Sequence, residues 1–197
     1  MIAGAILAGG LSRRMGGGDK ALREVGGMPL LTRTVARMAP QVGPLLLNAN
    51  GDPARFAAFG LEVRADVLGD HAGPLAGILT ALEWSAEQGV EWLLTAAADT
   101  PLLPSDLGAR LAAERQALDA RLAVAASGGR MHPVCALWPV DIRCELRSAM
   151  TKEELRRLTS FVERFPVARV DWPVEPFDPF LNVNTPGDLD RLGAVLG

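Results

Sequence analysis

The start of the chain constrains its fold most. An apolar run, IAGAILA at residues 2–8, passes without a linker into GGLSRRMGGGDK at residues 9–20. The run is too short for an ordinary helix and has no helical period, so it predicts a buried strand. Five glycines among the next twelve residues predict a loop. In open α/β sheets, ligands bind outside the carboxyl ends of such strands. Glycines let backbone N–H groups approach an anion closely. Ser12 adds a hydroxyl, and Arg13, Arg14 and Lys20 add positive charge. Neither common phosphate fingerprint is present. Gly18-Asp19-Lys20-Ala21 is not the GK[ST] of a Walker A loop, and no GxGxxG follows the strand. The residues alone therefore point to a phosphate ligand of unspecified kind.

The rest of the chain alternates between two patterns. LLLN at 45–48 and EWLLTAAA at 91–98 predict buried strands that end at Asn48 and Asp99, and LEVRA at 61–65 predicts a shorter one ending near Asp66. Leu30, Leu31, Val35 and Met38 predict a helix entered by Pro29 and ended by Pro40. Leu75, Ile78, Leu79 and Leu82 lie on one face of a helix over 74–88, stopped by Gly89. Ser105 is the expected N-cap of a helix to about residue 118. Residues 122–126 and 131–138 read as a hairpin. Thr151-Lys152-Glu153-Glu154 matches a capping box, followed by Leu155, Leu158, Phe161, Val162 and Phe165 on one helical face. Residues 167–171 predict a strand, and Thr185-Pro186 opens a last helix. With 197 residues and no linker, this alternation predicts an α/β fold. A single Rossmann-like domain over 1–197 is expected, a mostly parallel sheet with helices on both faces.

Charge and cysteine content narrow the function. The net charge of −3 argues against a general nucleic-acid binder. Residues 1–50 nevertheless carry +4 and the remainder −7, so positive charge gathers around the glycine-rich loop. Cys135 and Cys144 form no CxxC pair, which excludes a disulfide framework and suits a reducing cytosol. His71, His132 and Cys135 lack the paired spacing of a zinc site. No apolar run is of transmembrane length, and no sustained heptad marks a dimer, so a cytoplasmic monomer without membrane contact is expected.

Taken together, the motifs resemble those of the molybdenum cofactor guanylyltransferases, nucleotidyltransferases with a fold like that of the nucleotide-diphospho-sugar transferases. Leu7-Ala8-Gly9-Gly10-x-Ser12-x-Arg14-Met15-Gly16-Gly17-x-Asp19-Lys20 is similar to the family's opening loop. Asn48-Ala49-Asn50, Asp66, Gly73-Pro74-Leu75-Ala76-Gly77 and Ala98-Asp99-Thr100-Pro101 follow in the family's order. His132-Pro133 and Asn182-Val183-Asn184-Thr185-Pro186 match further along. Each motif is short, and their specificity comes from the set. The one departure is Gly18, a third glycine where other residues are common; it removes no contacting group.

The resemblance implies transfer of GMP from GTP to molybdopterin, with Mg²⁺ as cofactor and pyrophosphate released. Leu7, Ala8, Gly9 and Gly10 would meet the nucleotide, Lys20 its phosphates, and Asn48 and Asp66 its nucleoside end. Asp99 would bind the metal, and Lys20, Asp99 and Arg14 would be catalytic. Asn182, Asn184 and Arg157 would face the pterin. The nucleotide would lie over residues 1–100 and the pterin mainly over 101–197, with transient contacts to other cofactor-biosynthesis proteins. A cytidylyltransferase for the same cofactor and a sugar-1-phosphate nucleotidyltransferase are the alternative enzymes, and a non-catalytic nucleotide sensor is the alternative of another class. Cytidylyl relatives typically read Leu-Ala-Ala-Gly where this chain has Leu7-Ala8-Gly9-Gly10, which favours guanine.

Overall fold

The computed structural model describes residues 1–8, 19–69, 73–183 and 185–196. A seven-stranded sheet forms its centre. Strand β1 (Ile2–Leu7) is followed by a two-residue hairpin pair, β2 (Glu24–Val25) and β3 (Met28–Pro29), and by helix α1 (Leu30–Met38). Next come β4 (Leu45–Asn48), β5 (Glu62–Arg64), α2 (Pro74–Glu87), β6 (Trp92–Ala97) and α3 (Leu107–Ala117). The chain ends with β7 (Leu122–Ser127), β8 (Arg130–Pro139), α4 (Arg143–Thr151), α5 (Leu158–Val162), β9 (Val167–Trp172) and α6 (Pro186–Leu196). The order across the sheet is β5-β4-β1-β6-β8-β7-β9, and only β8 runs against the others.

Alternation along the strands explains the two layers. Ala3 and Ala5 of β1 face one core with Leu75, Ile78 and Leu82 of α2, Leu146 of α4 and Phe161 of α5. Ile6 faces the other core with Leu31 and Met38 of α1 and Leu107 and Leu111 of α3. Both faces of the sheet are thus covered, as continuous apolar strands require. A smaller third cluster joins Val25, Leu30, Leu102, Val183 and Leu192. It fastens α6 and the segment before it to the turn that follows β6.

Two local expectations are corrected. Thr151 does not open a helix; it is the last residue of α4, and its hydroxyl donates to the Arg147 carbonyl at 2.8 Å. Burial of Leu146, Ala149 and Met150 carries that helix through the apparent box. Glu154 adopts φ +54°, and Leu158, Phe161 and Val162 reach the core from a single-turn α5, with Leu155 and Phe165 packed against it from either side. Ser105 is not the cap of α3 either. Asp106 takes that place, and its carboxylate accepts the Trp172 indole N–H at 3.2 Å. Thr185 does cap the last helix, and the structure adds a reciprocal bond: the Asp188 N–H donates to Thr185 Oγ1 at 3.2 Å, and the Thr185 N–H donates to Asp188 Oδ2 at 2.9 Å. Among the described residues, no helix is long and apolar enough to cross a membrane.

Candidate active site

The chain leaves β1 toward β4 on one side and reaches β6 on the other, so the sheet reverses its winding at β1. Such a reversal opens a crevice at the carboxyl ends of the strands. In register, Leu7 pairs with Asn48 of β4 and with Ala97 of β6. Asn48 and Ala97 therefore flank the crevice about 10 Å apart, two strand spacings.

On the β6 side, Asp99 lies two residues beyond the end of the strand. Its carboxylate pairs with the Lys20 ammonium, and both side chains keep partial access to solvent. The turn is held from three directions. The Ala98 carbonyl accepts the Thr34 hydroxyl of α1 at 3.2 Å, the Asp99 carbonyl accepts the Val183 N–H at 3.0 Å, and the Thr100 hydroxyl donates to Asn182 Oδ1 at 3.0 Å. A carboxylate fixed by its backbone, paired with Lys20 and still partly open to solvent, suits a hard cation.

On the β4 side, Asn48 is almost wholly buried. Its amide donates to the Arg64 carbonyl at 3.1 Å and to Asp66 Oδ1 at 2.9 Å. Asn50 donates to Asp66 Oδ2 at 2.8 Å and accepts the Asp66 N–H at 2.8 Å. Two asparagines thus hold one carboxylate by both oxygens, fixing its orientation. Gly77 of α2 permits this packing, because a Cβ there would stand 2.3 Å from Asn48 Oδ1. Gly77→Ala should therefore cost about 1–3 kcal/mol by overpacking, seen by calorimetry as a fall in the thermal midpoint of roughly 2–12 °C. The same change in an Asn48→Ala background should cost less. Equal costs in both backgrounds would show that the amide is not the obstacle.

The structure brings some of the expected site residues together and leaves others apart. Lys20 and Asp99 come together, as do Asn48 and Asp66. Leu7 and Ala8 reach the crevice, but the Leu7 carbonyl accepts the Ala98 N–H and the Ala8 N–H donates to the Asn48 carbonyl at 2.8 Å. These two backbone groups, expected to face a nucleotide, belong to the extended sheet. Gly9, Gly10, Arg14 and Asn184 lie outside the described residues. Asn182 joins the Asp99 turn instead of standing apart with the second half of the chain. Arg157 is exposed at the start of α5, and Arg156 closes the end of α4 by donating to the Met150 carbonyl at 3.1 Å.

The sequence reading missed a polar group at the carboxyl end of β7. Ser127 Oγ donates to Asp178 Oδ1 at 2.8 Å and lies 2.8 Å from His132 Nε2. Because the serine proton goes to the carboxylate, the ring nitrogen must be the donor, which sets the His132 tautomer. His132 stacks on Phe180 at 4.9 Å. Burial lowers its pKa against the opposing pull of Asp178, and Arg130 adds to the lowering, so the ring is neutral at neutral pH. Asp178 lies 51 residues from Ser127, and no short-range pattern could have joined them. Cys135 is fully buried, and burial pushes its thiol up to about 12, so it is neither a nucleophile nor a ready metal ligand.

A crevice with a cation and a carboxylate at one wall suits movement of a nucleotidyl group, and comparison with known proteins agrees. Residues 4–167 match the MobA-like NTP transferase domain, which makes the chain a nucleotidyltransferase by class. It is 55% identical over 186 residues to a molybdenum cofactor guanylyltransferase of Rhodopseudomonas palustris, covering 93% of this chain and 89% of that one. It is 53% identical to the protein of the same description from Nitrobacter hamburgensis over 199 residues, covering 98% and 95%. The chain belongs to the molybdenum cofactor guanylyltransferase family. The fold is shared with the crystal structure of molybdopterin-guanine dinucleotide biosynthesis protein A from Archaeoglobus fulgidus, with a TM-score of 0.74, 23% identity and coverage of 100% and 98%.

Proposed function

We propose that the protein transfers GMP from GTP to molybdopterin, forming the guanine dinucleotide form of the molybdenum cofactor. The observation that carries the reading is the Lys20–Asp99 pair at the switch point, in a chain so similar to guanylyltransferases along its length. An oxygen of the acceptor's terminal phosphate attacks the α-phosphorus of GTP. The bond from that phosphorus to the α,β-bridging oxygen breaks, and pyrophosphate leaves. A phosphate monoester has its second pKa near 6, so the acceptor is already largely anionic at neutral pH and needs no protein base. The protein's task is to position two anions and to stabilise the charge that departs.

Each residue has a part in that task. Lys20 holds the nucleotide phosphates and stabilises the leaving pyrophosphate. Asn48 and Asp66 hold the nucleoside end, Leu7, Ala8, Gly9 and Gly10 contribute to nucleotide binding, and Arg14 joins Lys20 and Asp99 in catalysis. Asn182, Asn184 and Arg157 hold the acceptor. The donor set fits Mg²⁺, which takes one or two carboxylates and completes its shell with phosphates and water. Asp99 supplies such a carboxylate, and no group of three His, Cys, Asp or Glu side chains makes a closed metal cage among the described residues. When bound, Mg²⁺ would neutralise phosphate charge.

Base choice tests the reading. Pyrophosphate release from GTP, CTP or UTP, each with molybdopterin and Mg²⁺, should favour GTP by on the order of 10²-fold or more in kcat/KM. A wrong base leaves buried polar groups unpaired. Comparable kcat/KM for CTP would replace the guanylyl reading by the cytidylyl one.

A further inference from the structure

The two walls of the crevice are tied by a residue to which neither the motifs nor the chemistry above assigns a role. Arg55 lies in a 3-10 turn, Pro53–Phe59, beyond the Asn48-Ala49-Asn50 segment. Its Nε lies 2.8 Å from Asp19 Oδ2, in an ion pair with the residue just before Lys20. Its Nη2 donates to the Asn50 carbonyl. The guanidinium lies over the ring of Phe56, 4.9 Å from the centroid, and Phe56 is buried. Gly51, at φ +88°, turns the chain tightly beneath it; a Cβ there would stand 3.1 Å from Arg55 Nη1. One planar fork therefore bonds the phosphate side and the nucleoside side together, a geometry that a lysine's compact ammonium meets only in part. The path runs from Asp99 to Lys20, along the chain to Asp19, through Arg55 to Asn50, and on to Asp66 and Asn48.

We infer that Arg55 is a positioning residue that preorganises the nucleotide site, holding the Asp19–Lys20 segment at a fixed distance from the Asn48–Asp66 pair. It touches no reacting atom. The inference rests on the proposed reading only in that these two groups face opposite ends of one nucleotide. Without the tie, the segment must be ordered when the nucleotide binds, and that ordering cost weakens affinity.

Arg55→Met keeps an apolar stem over Phe56 and removes both bonds. It should raise the GTP Kd, titrated calorimetrically, and KM for GTP by roughly 10-fold or more. Arg55→Lys should recover part of this. Asp19→Asn should cost a similar factor, and the double variant should be little worse than the worse single one, because both remove the same tie. A merely structural role would lower the active fraction, and so kcat, with Kd and KM unchanged. The inference is overturned by an unchanged Kd in Arg55→Met, or by losses that multiply fully in the double variant. Should Arg55→Met fail to fold, the same cycle is run with Arg55→Lys. If the wild-type protein selects CTP, the guanine reading fails, and the cycle run with CTP still decides the role of Arg55.

Discussion

Asp99→Asn is expected to lower kcat by about 10²–10⁴-fold at limiting Mg²⁺, the scale of losing several kcal/mol of charge stabilisation. The substitution keeps the shape of the side chain and removes its charge. The backbone frame of the turn survives, because the Val183 N–H bonds the Asp99 main-chain carbonyl and Thr34 bonds that of Ala98. The thermal midpoint should therefore move little. Lys20 loses this carboxylate contact and keeps the positive charge that attracts phosphate. Metal-free GTP affinity, measured by titration, should consequently not fall, while Mg²⁺-dependent affinity and turnover should. Near wild-type turnover at limiting Mg²⁺ would remove Asp99 from the metal site. A parallel fall in metal-free GTP affinity would place it against the nucleotide instead.

Lys20→Ala is expected to cost on the order of 10²–10³ in kcat, as for loss of one preorganised donor to a developing oxyanion. The variant leaves the Asp99 carboxylate without this cation, but that side chain is 21% exposed, and water can take over much of the solvation. The penalty thus belongs to the reaction more than to the fold. Steady-state kinetics in GTP separates two roles. A fall in kcat marks an interaction that strengthens toward the transition state, whereas a raised KM with kcat preserved marks one that grips the ground state equally. No change in either would show that the ion pair is an incidental contact.

Local patterns decided much of the architecture. The strands at 2–7, 45–48 and 92–97 were legible because each is a short, mostly apolar run, the signature of a strand buried on both faces. The final helix was legible because Thr185, a capping residue, stands before Pro186 at the first helical position. The apparent box at Thr151 shows the limit. Its residues also fit the end of the preceding helix, and burial of Ala149 and Met150 settled the competition. Propensity is weak against tertiary burial.

The sequence by itself determined the chemistry: a cationic glycine-rich loop after a core strand, polar residues at strand ends, and motifs in one order over most of the chain. Tertiary structure decided which of these groups meet. Lys20 and Asp99 are 79 residues apart, and Thr100 and Asn182 are 82 apart. Asn182 reaches the Asp99 turn because Val183 and Leu192 bury against Val25, Leu30 and Leu102, an apolar match with no local signal. Arg55 gave no signal either, since a lone arginine on a surface turn is common. Its role came from a planar guanidinium placed by the fold between Asp19 and the Asn50 carbonyl. Side-chain type is written in the sequence, but distance between remote segments is set by which apolar surfaces pack together.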